Sequence, residues 1–370
     1  MDAAPAAAAA SPALAALVER VQAARAHKTP LEIRGGRTKA FYGEEPRGEP
    51  LEVGALAGIS SYEPSELVVS VRAGTPLAEL EAALAAQGQC LPFEPPRFAA
   101  GGTVGGMVAA GLAGPARAAV GGVRDYLLGA TLLDGRGELL SFGGQVMKNV
   151  AGYDVARVLA GSMGTLGLIC EVSLKVLPRP RAVRTLRLET DPAGAIRRFN
   201  EWAGQPLPID ATAWWDGMAV LRLAGAEAAV QAAAQRIGGE VVEDALAAAF
   251  WTGLRDHRDE FFVGAAKAVA AGAALWRLSV PATTPPLELS GEQLVEWGGA
   301  QRWLCTSAPA GLMREAAAAA GGHAVLFRGR DKSAGAFAPL KPVQLKIQRA
   351  LKRAFDPDAI FNPGRLTPGI

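Results

Sequence analysis

The sequence predicts an α+β fold in two parts, and two features of the chain lead to that prediction. Residues 31–180 carry three glycine-rich segments between short strands and helices, and glycine lets a backbone approach a ligand or another segment closely. Residues 182–243 follow the order strand, helix, strand, strand, helix, strand, which is the split arrangement of ferredoxin-like domains. We expect the first part to bind a ligand and the second to form a ferredoxin-like α+β domain.

The first part begins with a predicted helix. Ser11-Pro12 forms an N-cap and first-turn pair, and apolar residues follow at helical spacing over about 13–27. The elements predicted after it are strands at 31–34, 51–53 and 67–72, a helix from Thr75-Pro76 to Gly88, and a hairpin over 126–142 around Asp134-Gly135-Arg136-Gly137. A long strand then ends at Pro178 and Pro180, where we place a domain boundary.

The second part contains the split pattern and further strands. Its predicted elements are strand 182–190, helix 192–203, strand 209–215, strand 218–223, helix 226–237 and strand 240–243. Strands at 274–280, 301–305 and 323–328, with a helix at 311–320, should extend or flank that sheet. The predicted division is a tail and helix (1–30), a ligand-binding domain (31–180), a second domain (181–340) and a C-terminal segment (341–370).

Composition excludes several classes of protein. A net charge of +2 gives no general reason to expect nucleic acid or an anionic membrane as the main partner. No run approaches the ~18 uncharged apolar residues of a spanning helix, and the N-terminal stretch lacks the basic region of a secretory signal. We therefore expect a cytoplasmic protein. The three cysteines and three histidines are scattered, so we predict no disulfide framework, iron–sulfur cluster or metal site in this chain.

The most glycine-rich segment is 101–122, in which eight of 22 residues are glycine and only Arg117 is charged. Backbone N–H groups that face one way form a concavity for an anion such as a pyrophosphate. The spacing fits neither G-x-G-x-x-G nor the Walker-A motif, because Met107 stands where the Walker-A lysine would be. Close packing of small residues explains the same glycines equally well, and both interpretations stay open here.

A second open question concerns residues 328–353. This stretch holds eight Lys or Arg residues against Asp331 alone. It predicts either a solvated helix face or a docking surface for an acidic partner.

Four segments together resemble a known family. RGGRT (34–38), GGTVGGMVA (101–109), KNVAGYDVARVLAGSMGTLGLI (148–169) and FDPDAIFNPGR (355–365) are similar, in this order, to the FAD-linked oxidases of the vanillyl-alcohol-oxidase type. The resemblance covers about 31–180 and the last dozen residues. It implies a PCMH-type two-part FAD-binding domain, a cap domain over the flavin ring, and a C-terminal segment that returns to the FAD-binding domain.

The resemblance also implies a set of cofactor-binding residues. These are Gly35, Gly36, Arg37 and Thr38 on one side of the pyrophosphate, Gly101, Gly102, Thr103, Gly105 and Gly106 on the other, Gly161, Ser162, Gly164, Thr165, Gly167 and Ile169 along the ribose and adenine, and Asn362 from the C-terminal segment. The first turn holds Arg37 where many relatives have a flavin-tethering histidine, which implies non-covalent FAD. Met107 and Gly111 replace two asparagines of the family pattern, and the histidine-rich metal site of longer relatives has no counterpart.

Within the family, the chain is similar to the shorter flavin-binding subunits of bacterial glycolate oxidase complexes. That resemblance implies oxidation of a 2-hydroxy acid such as glycolate, a longer homologous flavin-binding partner, an iron–sulfur partner that takes the electrons, and at most peripheral contact with the inner face of the membrane. Candidate cations are Arg222, Arg277 and Arg328 for a substrate carboxylate, and Lys148 or Arg365 for the reduced flavin. We find no catalytic base. The alternatives are an electron-relay or assembly subunit without its own substrate site, a stand-alone 2-hydroxy-acid dehydrogenase, and a nicotinamide-dependent reductase of the same fold.

Overall fold

The computed structural model describes residues 11–144 and 154–370. Helix α1 (Pro12–His27) begins directly after Ser11, as predicted, and ends at Lys28 in the left-handed conformation. Strand β1 (Leu31–Arg34) pairs in parallel with β2 (Glu49–Glu52). Buried leucines of α1 pack with Leu31, Leu51 and Phe361, so this small layer joins the two ends of the described chain.

A five-stranded antiparallel sheet forms the centre of the first part. Its strands are β3 (Ile59–Glu63), β4 (Val68–Arg72), β6 (Leu127–Leu133), β7 (Leu139–Gly143) and β8 (Leu168–Lys175), in the order β3-β4-β8-β6-β7. The predicted hairpin is β6–β7. Its turn is fixed by the buried Asp134 carboxylate, which accepts hydrogen bonds from the backbone N–H groups of Arg136 and Glu138 at 2.8 and 3.0 Å. Strand β3 was not predicted.

Shorter elements complete this part. They are α2 (Leu77–Ala86), α3 (Val104–Ala110), α4 (Arg117–Val120), α5 (Val123–Tyr126), and β5 (Gln89–Cys90), which pairs with β9 (Leu177–Pro178). Helix α3 lies inside the glycine-rich segment and was not expected. Thr103 caps it by accepting a hydrogen bond from the N–H of Gly106 at 3.2 Å.

The second part is an eight-stranded antiparallel sheet made of two split units. The first is β10 (Ala182–Glu189), α6 (Pro192–Ala203), β11 (Ile209–Trp215), β12 (Met218–Gly225), α7 (Glu227–Ile237) and β13 (Glu240–Val242). The second is β14 (Ala274–Ser279), β15 (Glu292–Glu296), β16 (Gln301–Thr306), α10 (Ala310–Ala319) and β17 (His323–Arg328). The order β13-β10-β12-β11-β15-β16-β14-β17 joins them through β11 and β15. The predicted ferredoxin-like arrangement is present, and the later strands extend its sheet.

Two helices that sequence analysis did not predict connect the units. Helices α8 (Asp244–Asp256) and α9 (Glu260–Ala270) begin at Glu243 and Asp259, whose carboxylates accept hydrogen bonds from the first-turn N–H groups. Their buried faces carry Trp251 and Phe261, which belong to one apolar cluster with Tyr42 and Leu112 of the first part. The second part therefore packs directly on the first.

The basic stretch contains α11 (Pro342–Phe355). Lys352 is only 4% exposed, because its Nζ donates hydrogen bonds to the carbonyls of Thr165 and Phe361 and to Asp356, all at 2.7 Å. The expectation that Lys352 belongs to a solvent-facing docking surface is therefore wrong. Beyond α11, Phe361 forms a parallel bridge with Leu31. No helix of residues 11–144 and 154–370 is long and apolar enough to cross a membrane.

Candidate functional site

A cleft opens where the loop after β1, the start of α3, the 161–167 turn and the C-terminal segment meet. Of the predicted cofactor-binding residues, Gly35, Gly36, Arg37, Thr38, Thr103, Gly105, Gly106, Gly164, Gly167, Ile169 and Asn362 line it. The others, Gly101, Gly102, Gly161, Ser162 and Thr165, lie in the same loops but do not line the cleft. Four sequence segments that are far apart in the chain are thus brought to one place.

The glycines of these loops have two different roles. A Cβ on Gly36 would overlap the carbonyl of Gly101, and a Cβ on Gly105 would lie 2.6 Å from the Cβ of Ala73. These glycines allow segments of the protein to pack against each other. Gly106 differs, because a Cβ there would meet only the Oγ1 of Thr103, at 3.2 Å, and the residue is exposed on the cleft. The packing interpretation holds for Gly36 and Gly105, whereas the exposed Gly106 stays a candidate for the anion-binding interpretation.

The 161–167 turn is held mainly by its own side chains and by the C-terminal segment. Thr165 Oγ1 donates to the carbonyl of Ser162 at 2.7 Å, and Gly164 has a φ of 72°. Asn362 Oδ1 accepts from the N–H of Ile33 at 2.8 Å, while its Nδ2 donates to the carbonyl of Met163 at 2.7 Å. Asn362 therefore fixes the cleft by tying β1 to the turn.

Three cations of the cleft were absent from the predicted cofactor set, and of these Arg34 is paired with Glu32. Lys39 follows the first glycine turn, and burial lowers its pKa to about 8. Arg365 is 6% exposed; its Nη2 donates to the carbonyl of Ala40 at 2.8 Å, and its Nη1 is buried with no partner among the described residues. Sequence analysis named two candidate cations for the reduced flavin, Arg365 and Lys148. Of these, Lys148 lies outside the described residues. The remaining lining residues are Glu32, Ile33, Arg34, Ala40, Pro46, Val53, Ala73, Ala109, Ala110, Met163 and Leu168.

The comparisons with known proteins agree with this geometry. A family model for an FAD binding domain matches residues 5–143, and one for the C-terminal domain of FAD linked oxidases matches residues 320–366. The glycolate oxidase subunit GlcE of Escherichia coli (strain K12) is 46% identical over 351 residues, which are 95% of this chain and 96% of that protein. The chain belongs to the FAD-linked oxidases. The resemblance predicted from the glycine segments is confirmed.

Other relatives match a smaller share of this FAD-linked oxidase. The D-lactate dehydrogenase of Anaerostipes hadrus is 33% identical, and the glycolate oxidase subunit GlcD of Bacillus subtilis (strain 168) is 30% identical; each match covers 43% of this chain and 34% of the relative. Among solved structures, an alkyldihydroxyacetonephosphate synthase matches 94% of this chain and 74% of its own, with a TM-score of 0.65 and 15% identity. That likeness shows the fold alone.

FAD is the cofactor of this oxidase, and the cleft has the chemistry to receive it. The cleft walls combine an exposed glycine at Gly106, hydroxyls at Thr38 and Thr103, and the unpartnered Arg365 Nη1. Backbone donors, hydroxyls and a guanidinium suit a diphosphate and the polar edge of a flavin ring.

The predicted carboxylate-binding arginines lie in different surroundings. Arg222 forms ion pairs with Asp210 at 2.8 Å and with Glu94 of the first part at 2.9 Å, so its charge is compensated within the protein. Arg277 and Arg328 form no ion pair with any described residue. Of the three candidates, Arg222 therefore joins the cap to the FAD-binding part, whereas Arg277 and Arg328 have no carboxylate partner among the described residues.

Glu296 is a buried residue that lies between the cap and the FAD-binding part. Titration of its carboxyl group should change the free energy of unfolding. Its Oε2 accepts from Trp303 Nε1 at 2.6 Å and from Gln301 Nε2 at 2.9 Å, yet burial raises its pKa to about 7. Because the folded state holds the proton to higher pH than the unfolded state, the free energy of unfolding falls as pH rises from about 4.5 to 7, by up to roughly 3 kcal/mol.

Replacing Glu296→Gln should remove this pH dependence. A neutral amide keeps an acceptor for Trp303, and Gln301, whose Oε1 is buried without a described partner, can turn to accept from the new amide. Denaturant unfolding at about pH 5, 6, 7 and 8 measures the effect. The parent chain and an exposed control, Glu315→Gln, should lose stability over this range; an equal loss in Glu296→Gln would contradict the assignment.

Proposed function

We propose that this chain is the FAD-binding subunit of a complex that oxidises glycolate, a 2-hydroxy acid, to glyoxylate and passes the electrons to an iron–sulfur partner. The observation that supports it most is the full-length 46% identity with a glycolate oxidase subunit, together with a cleft built from the family's glycine segments. A longer homologous flavin-binding subunit is the other proposed partner. The cytoplasmic location and a peripheral membrane contact through partners stay predictions.

The sixteen predicted cofactor residues have proposed roles according to their position. Thr38, Thr103 and the open face of Gly106 lie toward the diphosphate, and the backbone around Gly164 and Ile169 faces the nucleoside side. Residues behind the lining, such as Ser162 and Thr165, keep the turns in shape. We propose non-covalent binding, since neither His nor Cys is among the described residues that line the cleft.

FAD, when bound, accepts a hydride equivalent from the substrate carbon. The proposed role of this chain's own residues is to place positive charge beside the flavin. Arg365 directs an unpartnered Nη1 from a site that is almost closed to solvent, and Lys39 remains mostly protonated near pH 7 because its pKa is about 8. A positive charge beside the flavin pyrimidine would stabilise the reduced anion, and these two residues are our candidates.

Helix α11 is the proposed docking surface for a partner. Val343 and Ile347 are 69% and 55% exposed and lie one turn apart, beside a stripe formed by Lys346, Arg349 and Arg353. Exposed apolar residues beside a row of cations suit a partner surface with an apolar centre and acidic rim. The same helix reaches the cleft wall, because Lys352 donates to the carbonyl of Thr165, next to Gly164.

Charge reversal of Lys346, Arg349 and Arg353 to Glu should weaken assembly with both partners by at least tenfold at low salt. The matched control reverses three exposed cations of the second part, Arg184, Arg236 and Lys267, and should assemble normally. Pull-down of the longer flavoprotein and the Cys-rich partner, with glycolate-dependent reduction of the latter, measures both steps. Undiminished assembly at low and moderate salt would make the stripe a solvated helix face.

One alternative function has an observation in its favour. No His lines the cleft among the described residues, so this chain could relay electrons or assist assembly while a partner oxidises the acid. Experiments on the reconstituted complex and on the isolated chain distinguish the relay function from the catalytic function. A variant of this chain that cannot hold FAD should stop electron flow in the relay and the catalytic case alike, but only in the catalytic case should this chain bind glycolate by itself.

A further inference from the structure

The turn between β15 and β16 has three successive residues in the left-handed region of backbone conformation. Trp297, Gly298 and Gly299 have φ angles of 54°, 67° and 108°. Glycine adopts this region freely, whereas a bulky residue such as Trp297 rarely does, because the conformation costs free energy. A residue strained in this way persists only where the surrounding structure holds it in place, and such residues are concentrated at functional sites.

Side chains from three elements of the cap hold this turn in its conformation. Thr212 Oγ1 accepts from the N–H of Gly298 at 2.8 Å, and Asn200 Nδ2 donates to the carbonyl of Gly298 at 2.9 Å. Arg302 is 2% exposed, and its Nε donates to the carbonyl of Gly299 at 2.6 Å. The conformation of the turn is therefore imposed from α6, β11 and β16.

The Trp297 side chain extends from this turn to the glycine-rich segment of the FAD-binding part. Its Nε1 donates to the carbonyl of Gly114 at 3.1 Å. The Arg117 guanidinium lies 4.8 Å from the centroid of the Trp297 ring, and the face of an indole ring attracts a cation. We call these two contacts the Trp297 latch. They join the cap to residues 114–117 through one side chain.

The cap reaches the same residues a second time through Glu94. One carboxylate oxygen of Glu94 accepts from the N–H of Ala116 at 2.9 Å, and the other pairs with Arg222 of the cap at 2.9 Å. Glu94 itself has a φ of 48°, which is again unusual for a residue with a side chain. Residues 114–117 are thus held on two sides.

The segment held by the Trp297 latch is continuous with a wall of the glycine cleft. Helix α3 lines the cleft, and its C-cap, Gly111, is three positions before Gly114. Carbonyls of α3 accept from the N–H groups of Gly161 and Met163 at 3.0 and 2.9 Å. A displacement of Gly114 would therefore be transmitted to α3 and, through these bonds, to the 161–167 turn, which forms another wall.

We propose that Trp297 is a positioning residue for the cofactor: its latch fixes the cap to the glycine-rich segment and so keeps α3 in the arrangement that retains FAD. Opening of the latch frees residues 114–117 from the turn and loosens two walls of the cleft. Coupling between two sites is reciprocal, so bound FAD must hold the latch closed by the same factor by which the closed latch retains FAD. This role concerns FAD alone and depends on neither the substrate nor the partners.

The rate at which the full FAD-loaded chain releases FAD, followed by flavin fluorescence after dilution, is the first measurement. Trp297→Phe keeps an aromatic ring but loses the donor to Gly114, and should release FAD about threefold faster. Trp297→Gly removes both contacts and should release it about tenfold faster. Trp215→Phe is the matched control, because the indole N–H of Trp215 bonds to Glu292 within the cap at 2.9 Å. It should release FAD at the parent rate.

A double-mutant cycle tests the ring contact separately. Arg117→Met should speed FAD release about twofold to fivefold in the parent chain, because the ring loses its cation. The same substitution should add nothing in the Trp297→Gly background, where the ring is already absent.

Hydrogen exchange of the Gly298 amide gives a readout that a merely structural role would not move. This amide belongs to the turn, and Gly298 does not line the glycine cleft. Saturation with FAD should slow its exchange about fivefold or more in the parent chain and in Trp215→Phe, because bound FAD holds the latch closed. In Trp297→Gly the exchange should not depend on FAD.

Three results would overturn the proposal. The first is an equal rate of FAD release from the parent chain and Trp297→Gly, and the second is exchange at Gly298 that does not respond to FAD in the parent chain. The third is an equal acceleration in Trp297→Phe and Trp215→Phe, because it would indicate a general loss of cap stability. If Trp297→Gly impairs folding, Trp297→Phe and Arg117→Met decide by the same two measurements.

Discussion

A Gly106→Val variant is expected to lose FAD, with affinity reduced by at least a hundredfold. Gly106 is in the first turn of α3 and is exposed on the cleft, and an added Cβ there would meet only one side-chain atom, the Oγ1 of Thr103 at 3.2 Å. A branched side chain there should therefore fold into the helix and fill the space that the diphosphate needs. Gly105→Val cannot make this distinction, because its Cβ would press on Ala73 and disturb packing as well.

FAD titration of the purified chain, with release of the colour by acid precipitation, measures this result and tests non-covalent binding together. Gly311→Val is the matched control, since Gly311 is also an exposed first-turn helical glycine with open space beside it, on α10. The control should keep FAD affinity, and thermal unfolding of both variants without FAD measures how much stability each substitution costs. Unchanged FAD affinity in Gly106→Val would show that the diphosphate does not lie against Gly106.

The largest expected effect on stability comes from Lys352→Met. The Lys352 ammonium is paired with Asp356 at 2.7 Å, and Asp356 also accepts from the N–H groups of Ile360 and Phe361 at 3.1 and 2.8 Å. Asp356 is 1% exposed, so removal of its partner leaves a buried carboxylate without a compensating charge. Loss of one partner from such a pair costs about 3–5 kcal/mol. Two carbonyls, of Thr165 and Phe361, lose their donor as well.

Equilibrium unfolding of Lys352→Met beside Lys346→Met gives the comparison, because both lysines are on α11 and only Lys346 is exposed. The Lys346 variant should stay within about 0.5 kcal/mol of the parent chain. FAD affinity should fall in the Lys352 variant alone, since Phe361 is followed by Asn362, which fixes the cleft. A loss below about 1 kcal/mol would show that Asp356 is satisfied by its backbone donors without the lysine.

Local patterns predicted much of the fold because their signals lie within a few residues. The hairpin at 126–142 has a turn sequence and alternating strands, and β10 to β13 have clear periodicity and capping residues. Helices α8 and α9 were missed, although the capping residues Glu243 and Asp259 mark their starts in the sequence. The pairing of β11 with β15 was not predictable, since it joins strands that are far apart in sequence and have no local signal.

The candidate site was also predictable from the sequence only in part. Glycine segments and the NPG sequence of the C-terminal segment are visible in the sequence, and the structure brings them to one cleft. Whether a given glycine faces the open cleft or another loop, as Gly106 and Gly36 respectively do, depends on three-dimensional contacts. The roles of the charged residues could not be predicted from the sequence for the same reason. Arg222, Arg277 and Arg328 are all arginines on strands, but only Arg222 forms ion pairs with carboxylates.

The link between Ile33 and Asn362 has a consequence for biosynthesis. These residues are 329 positions apart, and β1 gains this bond only when nearly all of the sequence has left the ribosome. The eight-stranded sheet needs no such late arrival, because its strands lie between Ala182 and Arg328. Domains fold as their residues emerge, so the sheet should be in place before the glycine cleft is complete. FAD capture should then be a post-translational event, open to competition from proteases that recognise the unfinished N-terminal part.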